Sequence, residues 1–115
     1  MITGHISSHH AVQGEAQEMG HLLRKMHRAW SDATFGAVGP VGPLKHLAKE
    51  ALEAAEAPGD ITEYVDCMFL LWDAVHRAGF TEAQLIQAGF AKLDVLKARV
   101  YRRTPDGVPS EHVRD

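Results

Sequence analysis

Cysteine is nearly absent from this 115-residue chain: Cys67 stands alone, so an internal disulfide is excluded. Long apolar runs are absent as well. No stretch approaches the roughly 20 apolar residues that a membrane span needs, and the chain does not begin with an apolar leader. These absences predict a soluble, cytoplasmic protein that does not work in a membrane. The length suits one domain with a single hydrophobic core.

The chain also lacks an excess of basic residues. It has 12 Lys and Arg against 15 Asp and Glu, for a formal net charge of -3. Proteins that bind the backbone of a nucleic-acid polymer usually present a strongly positive face, so such a partner is not expected. Nor does any run alternate between apolar β-branched and polar residues, the pattern of a strand. We therefore predict an all-α fold, a four-helix bundle.

The first half of the chain predicts a tail and two helices. Residues 1–10 are polar and are expected to form a flexible tail ahead of one domain over residues 11–115. Apolar residues then recur every three or four positions from about Ala11 to Ala33, which indicates an amphipathic helix. Three glycines and two prolines within residues 34–43 interrupt regular structure. A second helix follows over about residues 43–57, with a proline in its first turn.

The third helix has clear signals at both ends. Asp60 is a suitable N-cap, and Gly79 is a suitable C-terminal glycine. The centre of this helix, residues 68–72, is apolar on nearly every face, which is typical of a helix buried on all sides. Because so small a chain cannot surround it, we predict that a partner subunit does, and that the protein is an oligomer.

The fourth helix is predicted from a capping box, Thr81 with Gln84, to about Arg103. Lys92, Arg99 and Arg103 are spaced seven and four residues apart, so they share one helical face. Cations on one stripe can hold phosphate oxygens, and arginine offers a forked pair of donors. A solvated helix surface would show the same pattern.

Two carboxylate pairs are mirrored about the turn between the second and third helices. Glu50 and Glu53 precede residues 57–60, and Glu63 and Asp66 follow them, each pair three residues apart. If the chain folds back as a helical hairpin, Glu53 is level with Glu63 and Glu50 with Asp66. Four converging carboxylates repel one another unless a cation neutralises them. The pattern therefore predicts a divalent-metal site.

The ligand types indicate which metal. An all-oxygen cluster without cysteine suits Mg2+ or Mn2+ better than zinc or copper, and four carboxylates can hold two or more ions. Such ions would activate a water and neutralise a phosphoryl group under attack. The alternative for Glu63 is a capping box with Asp60. Trp30 and Phe35 are candidates to stack on a base, the alternative being core packing.

These segments resemble the MazG-like, all-α nucleoside triphosphate pyrophosphohydrolases. The resemblance covers about Trp30 to Asp115. Within this family, the chain resembles most a phage and bacterial branch of dATP/dGTP diphosphohydrolases that includes MazZ-type enzymes. The residues that carry it are Lys49-Glu50-Ala-Leu-Glu53, Glu63-Tyr-Val-Asp66, Phe35-Gly36, Gly42-Pro-Leu-Lys-His-Leu-Ala-Lys-Glu50, Pro58-Gly-Asp60 and Glu111-His-Val-Arg-Asp115.

The resemblance implies cleavage between the α- and β-phosphates of purine deoxynucleoside triphosphates, dGTP favoured and dATP also used. Its metal ligands would be Glu50, Glu53, Glu63 and Asp66, binding two or more Mg2+ or Mn2+ ions. Glu50 and Glu53 are the predicted catalytic residues, and which carboxylate activates water stays open. The resemblance further implies a homodimer or homotetramer and, for a phage protein, the host cytoplasm.

Lys92 and Arg99 match basic positions of the family's last helix and would bind phosphate, with Arg103 on the same helical face. Trp30 would contact the nucleobase. One residue departs from the family pattern. Lys49 stands where the motif has the first of two glutamates. Either another group takes over the role of that glutamate, or Lys49 binds phosphate.

Two other interpretations remain at this level. A ferritin-like di-metal protein uses Glu-x-x-His steps on bundle helices, and Glu18 with His21 and Asp73 with His76 come close to that pattern. The mirrored carboxylate pairs, however, contain no histidine. A non-enzymatic helical binding module, with its acidic residues on a solvated surface, is the other alternative.

Overall fold

The computed structural model describes residues 8–99, with side chains from residue 14 onward. This part of the chain contains helices and no strand, which confirms the all-α class. None of its helices combines the length and the apolar character required to cross a membrane. The chain divides into two compact units, Met1–Gly79 and Phe80–Asp115. The helices are α1 (Ser8–Phe35), α2 (Val41–Glu56), α3 (Ile61–Arg77) and α4 (Glu82–Ala98).

The first helix extends beyond its predicted limits at both ends. It begins at Ser8 rather than at Ala11, so the last residues of the predicted tail are helical, and residues 1–7 lie outside the described part. At the other end, the N–H of Gly36 donates to the carbonyl of Asp32 at 3.0 Å. Gly36 has a φ of +73°, a conformation that only glycine adopts without strain. This residue therefore ends α1.

A tight turn over residues 57–60 joins α2 to α3. The N–H of Asp60 donates to the carbonyl of Ala57 at 3.0 Å. As predicted, Asp60 caps α3, and its carboxylate accepts the N–H of Thr62 at 2.9 Å. The hydroxyl of Tyr64 donates to the carbonyl of Pro58 at 2.8 Å and ties the turn to the helix. Because the turn is this short, α2 folds back against α3, and α1 contacts α3 as well.

A polar network, rather than apolar packing, fills the most buried part of the first unit. The Ser31 hydroxyl donates to Asp73 Oδ1 at 2.8 Å, and Arg77 Nε lies 3.0 Å from the same oxygen as an ion pair. Arg77 also donates to the carbonyls of Gly36 at 2.7 Å and Val38 at 3.1 Å. Its side chain is 3% exposed. This arginine joins α3 to the end of α1 and to the following loop.

Apolar burial within the single chain is slight. Among the described side chains, Ala74 is the one apolar residue that is buried. The predicted all-round burial of α3 is not reached within one chain, since Leu71 is 44% exposed. The periodic apolar residues of α1 are likewise exposed, namely Met19, Leu22, Leu23, Met26 and Trp30. These surfaces have no cover among the described residues of the chain.

The second unit contains α4. Its predicted capping box is confirmed: Thr81 accepts the N–H of Gln84 at 3.1 Å, and the Gln84 side chain accepts the N–H of Thr81 at 2.8 Å. The predicted end at Arg103 is wrong. The helix ends at Ala98, and Arg99 is a C-cap with an extended backbone, φ -89° and ψ 152°. No glycine or proline follows before Pro105, so the local sequence did not mark this end.

Replacing Thr81 by Ala should lower the free energy of unfolding by about 1 kcal/mol, because the Gln84 N–H loses its acceptor. Denaturant unfolding at a fixed protein concentration measures this change. Thr81→Ser keeps the hydroxyl and should retain most of the stability. An Ala variant as stable as the wild type would show that the cap contributes nothing to α4.

Candidate metal centre

The α2–α3 turn brings three glutamates together. Glu50 and Glu53 of α2 and Glu63 of α3 each place one carboxylate oxygen within 4.8 Å of the others. The short hairpin produces this geometry, because it sets the last turns of α2 beside the first turns of α3. Asp66 is not part of this group, although it lies one turn further along α3. The structure thus joins three of the four predicted ligands.

The surroundings of the cluster raise the pKa of two of its members. A hydrogen bond with Glu50, followed by the negative charge of that residue, raises the pKa of Glu53 above the ordinary glutamate value. Partial loss of hydration raises the pKa of Glu63, and the charges of Asp60, Asp66 and Glu50 add to the effect. Two carboxyls this close share a proton more readily than they ionise together. A divalent cation would replace that proton.

Glu63 also shows an unsatisfied atom. Its Oε2 is buried and has no hydrogen-bond partner among the described residues. The alternative in which Glu63 forms a capping box with Asp60 is wrong, because the N–H of Asp60 donates to the Ala57 carbonyl and the Asp60 side chain binds Thr62. A buried carboxylate oxygen without a donor is costly unless something else occupies it. The all-oxygen set of Glu50, Glu53 and Glu63 therefore fits a hard divalent cation.

His46 is a residue of this site that was not predicted from the sequence. Its Nε2 lies 3.0 Å from Glu50 Oε1, and the Glu50 side chain is only 15% exposed. A ring N–H donating to a carboxylate fixes the orientation of that carboxylate. The available signal was the four-residue spacing between His46 and Glu50 on one helix, which places them on the same face.

An open cleft of about 290 Å3 begins at Glu50 and extends between α1, α2 and α3. Asp66 lines it together with Glu50, so the fourth predicted ligand faces the same space as one member of the cluster. The lining residues are His27, Trp30, Ser31, Phe35, His46, Glu50, Asp66, Phe69, Leu70 and Asp73.

Aromatic rings form much of the wall of this cleft. Trp30 and Phe35 meet edge to face, with centroids 5.6 Å apart, and His27 stacks on Phe69 at 4.3 Å. Trp30 remains 56% exposed, so its indole is not a core residue of the single chain. Flat rings around an open cleft suit a planar ligand such as a nucleobase.

The predicted basic residues are in different places. Lys49 is exposed on α2, and its charge lowers the otherwise raised pKa of Glu53, so it lies near the cluster. Lys92 is exposed on α4, and Arg99 lies at the C-cap of that helix rather than within it. The prediction that the three cations share one continuous helix face is therefore wrong at Arg99. Arg103 lies outside the described residues.

Asp73 and His76, one of the two residue pairs of the ferritin-like alternative, have other partners. Asp73 binds Ser31 and Arg77 in the buried network. The Nδ1 of His76 accepts from Arg28 at 3.0 Å, and its Nε2 lies 3.3 Å from Asp32. With both ring nitrogens engaged, His76 is not placed to ligate a metal together with Asp73.

The raised pKa values predict how stability depends on pH without metal. Because folding raises the pKa of Glu53, the stabilisation by its proton is lost as pH rises from the ordinary glutamate value through the raised one. Glu53→Gln should therefore melt at a higher temperature than the wild type at about pH 7, and the two should converge near pH 4. Melting curves in chelator across this range measure the difference.

Glu56→Gln is the matched control, because Glu56 is exposed on the same helix outside the cluster. It should follow the wild-type curve at every pH. The effect of Asp60 on stability has the opposite pH dependence, and it is the same in the wild type and in both variants. Its pKa is lowered by the Thr62 hydrogen bonds, so its stabilisation disappears only as pH falls through that lowered value. A gain from Glu53→Gln that does not change with pH would contradict the proposed repulsion.

Comparison with known proteins adds three findings. The sequence profile described as dATP/dGTP pyrophosphohydrolase matches residues 23–115. The Eaa protein of Salmonella phage P22 is 50% identical over 93 residues, which are 81% of this chain and 29% of that protein. The chain therefore spans less than a third of the length of this relative.

A solved structure, the cyanophage S-2L MazG-like pyrophosphohydrolase, has a similar fold, with a TM-score of 0.64 at 24% identity. The match covers 82% of this chain and 96% of that chain. That enzyme was solved with dGDP and three catalytic Mn2+ ions per active site. The similarity confirms the predicted MazG-like fold.

Proposed function

The chain belongs to the dATP/dGTP pyrophosphohydrolase family, and on this basis we propose that it hydrolyses purine deoxynucleoside triphosphates to the monophosphate and pyrophosphate. The observation that carries the proposal is the convergence of Glu50, Glu53 and Glu63 oxygens within 4.8 Å beside an aromatic cleft. Such a cluster suits metal-assisted attack on a phosphoanhydride. We propose dGTP as the favoured substrate and dATP as a second one.

In this proposal Glu50, Glu53, Glu63 and Asp66 hold two or more Mg2+ or Mn2+ ions. The bound ions would lower the pKa of a water and neutralise charge on the phosphates. The protein residues contribute orientation and proton transfer. His46 holds Glu50 through its 3.0 Å contact, and Glu53 lies beside Glu50, so these two carboxylates are the proposed acceptors of the proton from the attacking water.

The substrate would lie along the cleft. We propose that the base stacks on Trp30, whose exposed indole lines the cleft, while Lys49 attracts phosphate oxygens near the cluster. Lys92, Arg99 and Arg103 stay proposed phosphate-binding residues, because cationic side chains hold phosphate oxygens. A lysine beside the glutamates also reduces the repulsion that a triphosphate meets at an acidic site.

We further propose that the protein is a homodimer or homotetramer. The support is the exposed apolar surface: Met19 and Met26 of α1 are 68% and 60% exposed, and Leu52 of α2 is 71% exposed. Regularly spaced apolar residues on a helix normally pack against another element, and extended exposed apolar surface marks an interface. Sedimentation analysis at micromolar concentration should show two or four subunits. A monomer that keeps full helicity and activity would contradict this.

The site of action follows from the substrate. Deoxynucleoside triphosphates are found in the cytoplasm, and a relative occurs in a Salmonella phage, so we propose the host cytoplasm as the compartment.

Metal removal tests the proposal. Protein stripped with chelator and dialysed should not consume dGTP or dATP, and Mg2+ or Mn2+ should restore turnover. Pyrophosphate release, followed by a coupled assay, measures the reaction. Turnover that persists in excess chelator would reject a metal-dependent mechanism.

A further inference from the structure

Asp73 is an unusual group to find in the wall of the cleft. Its side chain is only 9% exposed, yet it lines the cleft together with Trp30 and Phe35. Burying a carboxylate is costly, and here Arg77 compensates with an ion pair at 3.0 Å. Ser31 adds a hydrogen bond at 2.8 Å. The carboxylate is therefore held in one orientation by α1 and by the next turn of α3.

The hydrogen bonds of Asp73 leave acceptor capacity unused. Ser31 Oγ donates to Oδ1, and Arg77 Nε lies 3.0 Å from the same oxygen as an ion pair without a hydrogen bond. A carboxylate offers about four acceptor sites, about two on each oxygen, so the sites of Oδ2 remain. Among the described residues Oδ2 has no hydrogen bond or ion pair. An acceptor without a donor in the wall of an aromatic cleft suits a ligand that brings its own N–H donors.

The position of Asp73 along α3 separates it from the metal cluster. Asp66 and Asp73 are seven residues apart, so they share one face of the helix about 10 Å from each other. Phe69 and Leu70, on the same face, line the cleft between them. If the phosphates lie at Asp66, as the proposed function requires, a base in the cleft comes near Asp73.

We propose that Asp73 determines base specificity and selects guanine over adenine, an inference that depends on the proposed function. Guanine presents two neighbouring donors, N1–H and the 2-amino group, which lie close enough together to share one acceptor oxygen, the free Oδ2. Adenine presents an acceptor, N1, at the corresponding edge, and its lone pair would face the carboxylate. A site that is built to receive donors rejects an analogue that lacks them.

Base analogues test this directly on the wild-type protein. Hypoxanthine keeps the N1–H of guanine and lacks the 2-amino group. The specificity constant kcat/KM should therefore fall in the order dGTP, dITP, dATP, with dGTP exceeding dATP roughly 10- to 100-fold. Equal values for the three triphosphates would overturn the proposal.

The variant Asp73→Asn tests the residue itself. Its carbonyl can stay with Ser31 and Arg77, so an NH2 group would take the place of Oδ2 and repel the guanine donors. The preference for dGTP over dATP should fall at least about 10-fold. Asp32→Asn is the matched control: Asp32 lies 3.9 Å from Arg77 and does not line the cleft, so the preference should stay unchanged. An unchanged ratio in Asp73→Asn would overturn the assignment.

Failure of the proposed function can be distinguished from failure of this inference. If the wild type hydrolyses no triphosphate, titration calorimetry with dGMP, dIMP and dAMP in Mn2+ still measures base preference. Tighter binding of dGMP supports the role of Asp73, and equal affinities reject it. If Asp73→Asn fails to fold by circular dichroism, the wild-type analogue series decides in the same way.

Discussion

Replacing Glu53 by Gln should lower kcat for Mg2+-dependent dGTP hydrolysis by at least about 100-fold while the helical fold is retained. Glu53 supplies one of three carboxylate oxygens within 4.8 Å, so its loss removes both a metal ligand and a proton acceptor. The fold should be unaffected or slightly stabilised without metal, because repulsion with Glu50 falls. Steady-state kinetics with a circular dichroism spectrum on the same sample measures both effects.

Glu56→Gln again provides the matched control for this experiment. It changes the same residue type one helical turn further along α2, at an exposed position outside the cluster. Its kcat should equal that of the wild type. If Glu53→Gln hydrolyses dGTP at the wild-type rate, the carboxylate cluster is not the metal centre.

The largest effect on stability is expected from Arg77→Ala. This guanidinium is 3% exposed, pairs with the buried Asp73 and donates to the carbonyls of Gly36 and Val38. Its removal leaves a buried carboxylate without its counter-ion and two carbonyls without this donor. The free energy of unfolding should fall by about 3–5 kcal/mol. Denaturant unfolding at one fixed protein concentration measures the change, since an oligomer's stability depends on concentration.

The variant Arg28→Ala is the control that distinguishes the loss of a buried arginine from the loss of an exposed one. Arg28 is also an arginine of the first unit, but it is exposed and makes a 3.0 Å hydrogen bond to His76 at the surface. Its removal should cost less than about 1 kcal/mol. Similar losses for both variants would show that the buried network of Ser31, Asp73 and Arg77 contributes no more than a surface contact.

The site between α2 and α3 could be predicted from sequence because its determinants are local. Pro58 and Gly59 interrupt the helix, Asp60 restarts it, and the glutamates on either side then converge by helical periodicity alone. The capping box of Thr81 was predictable for the same reason. Asp66 is an exception, because the register of two helices in a hairpin does not determine the position of a side chain's carboxylate group.

Features that depend on distant residues could not be predicted in this way. Ser31 and Arg77 are 46 residues apart, and no local signal pairs them. The exposure of the apolar residues on α1 was also not foreseeable, because periodicity indicates which face is apolar and not what covers it. The spacing of His46 to Glu50 places both on one helix face, but this spacing alone does not show that the two side chains are in contact.

Lys49 remains the main departure from the family pattern. It lies near Glu53, and its positive charge lowers the pKa of that carboxyl, partly offsetting the effect of Glu50. We propose that in this arrangement the lysine assists the cluster by its charge.

Identification of the products of dGTP hydrolysis tests the central claim most directly. Protein supplied with Mn2+ and dGTP is sampled over time, and the phosphorus-containing products are resolved by 31P nuclear magnetic resonance. Attack between the α- and β-phosphates at the Glu50, Glu53 and Glu63 centre predicts dGMP and pyrophosphate in equal amounts. Release of tripolyphosphate, formation of dGDP with inorganic phosphate, or no turnover would contradict it.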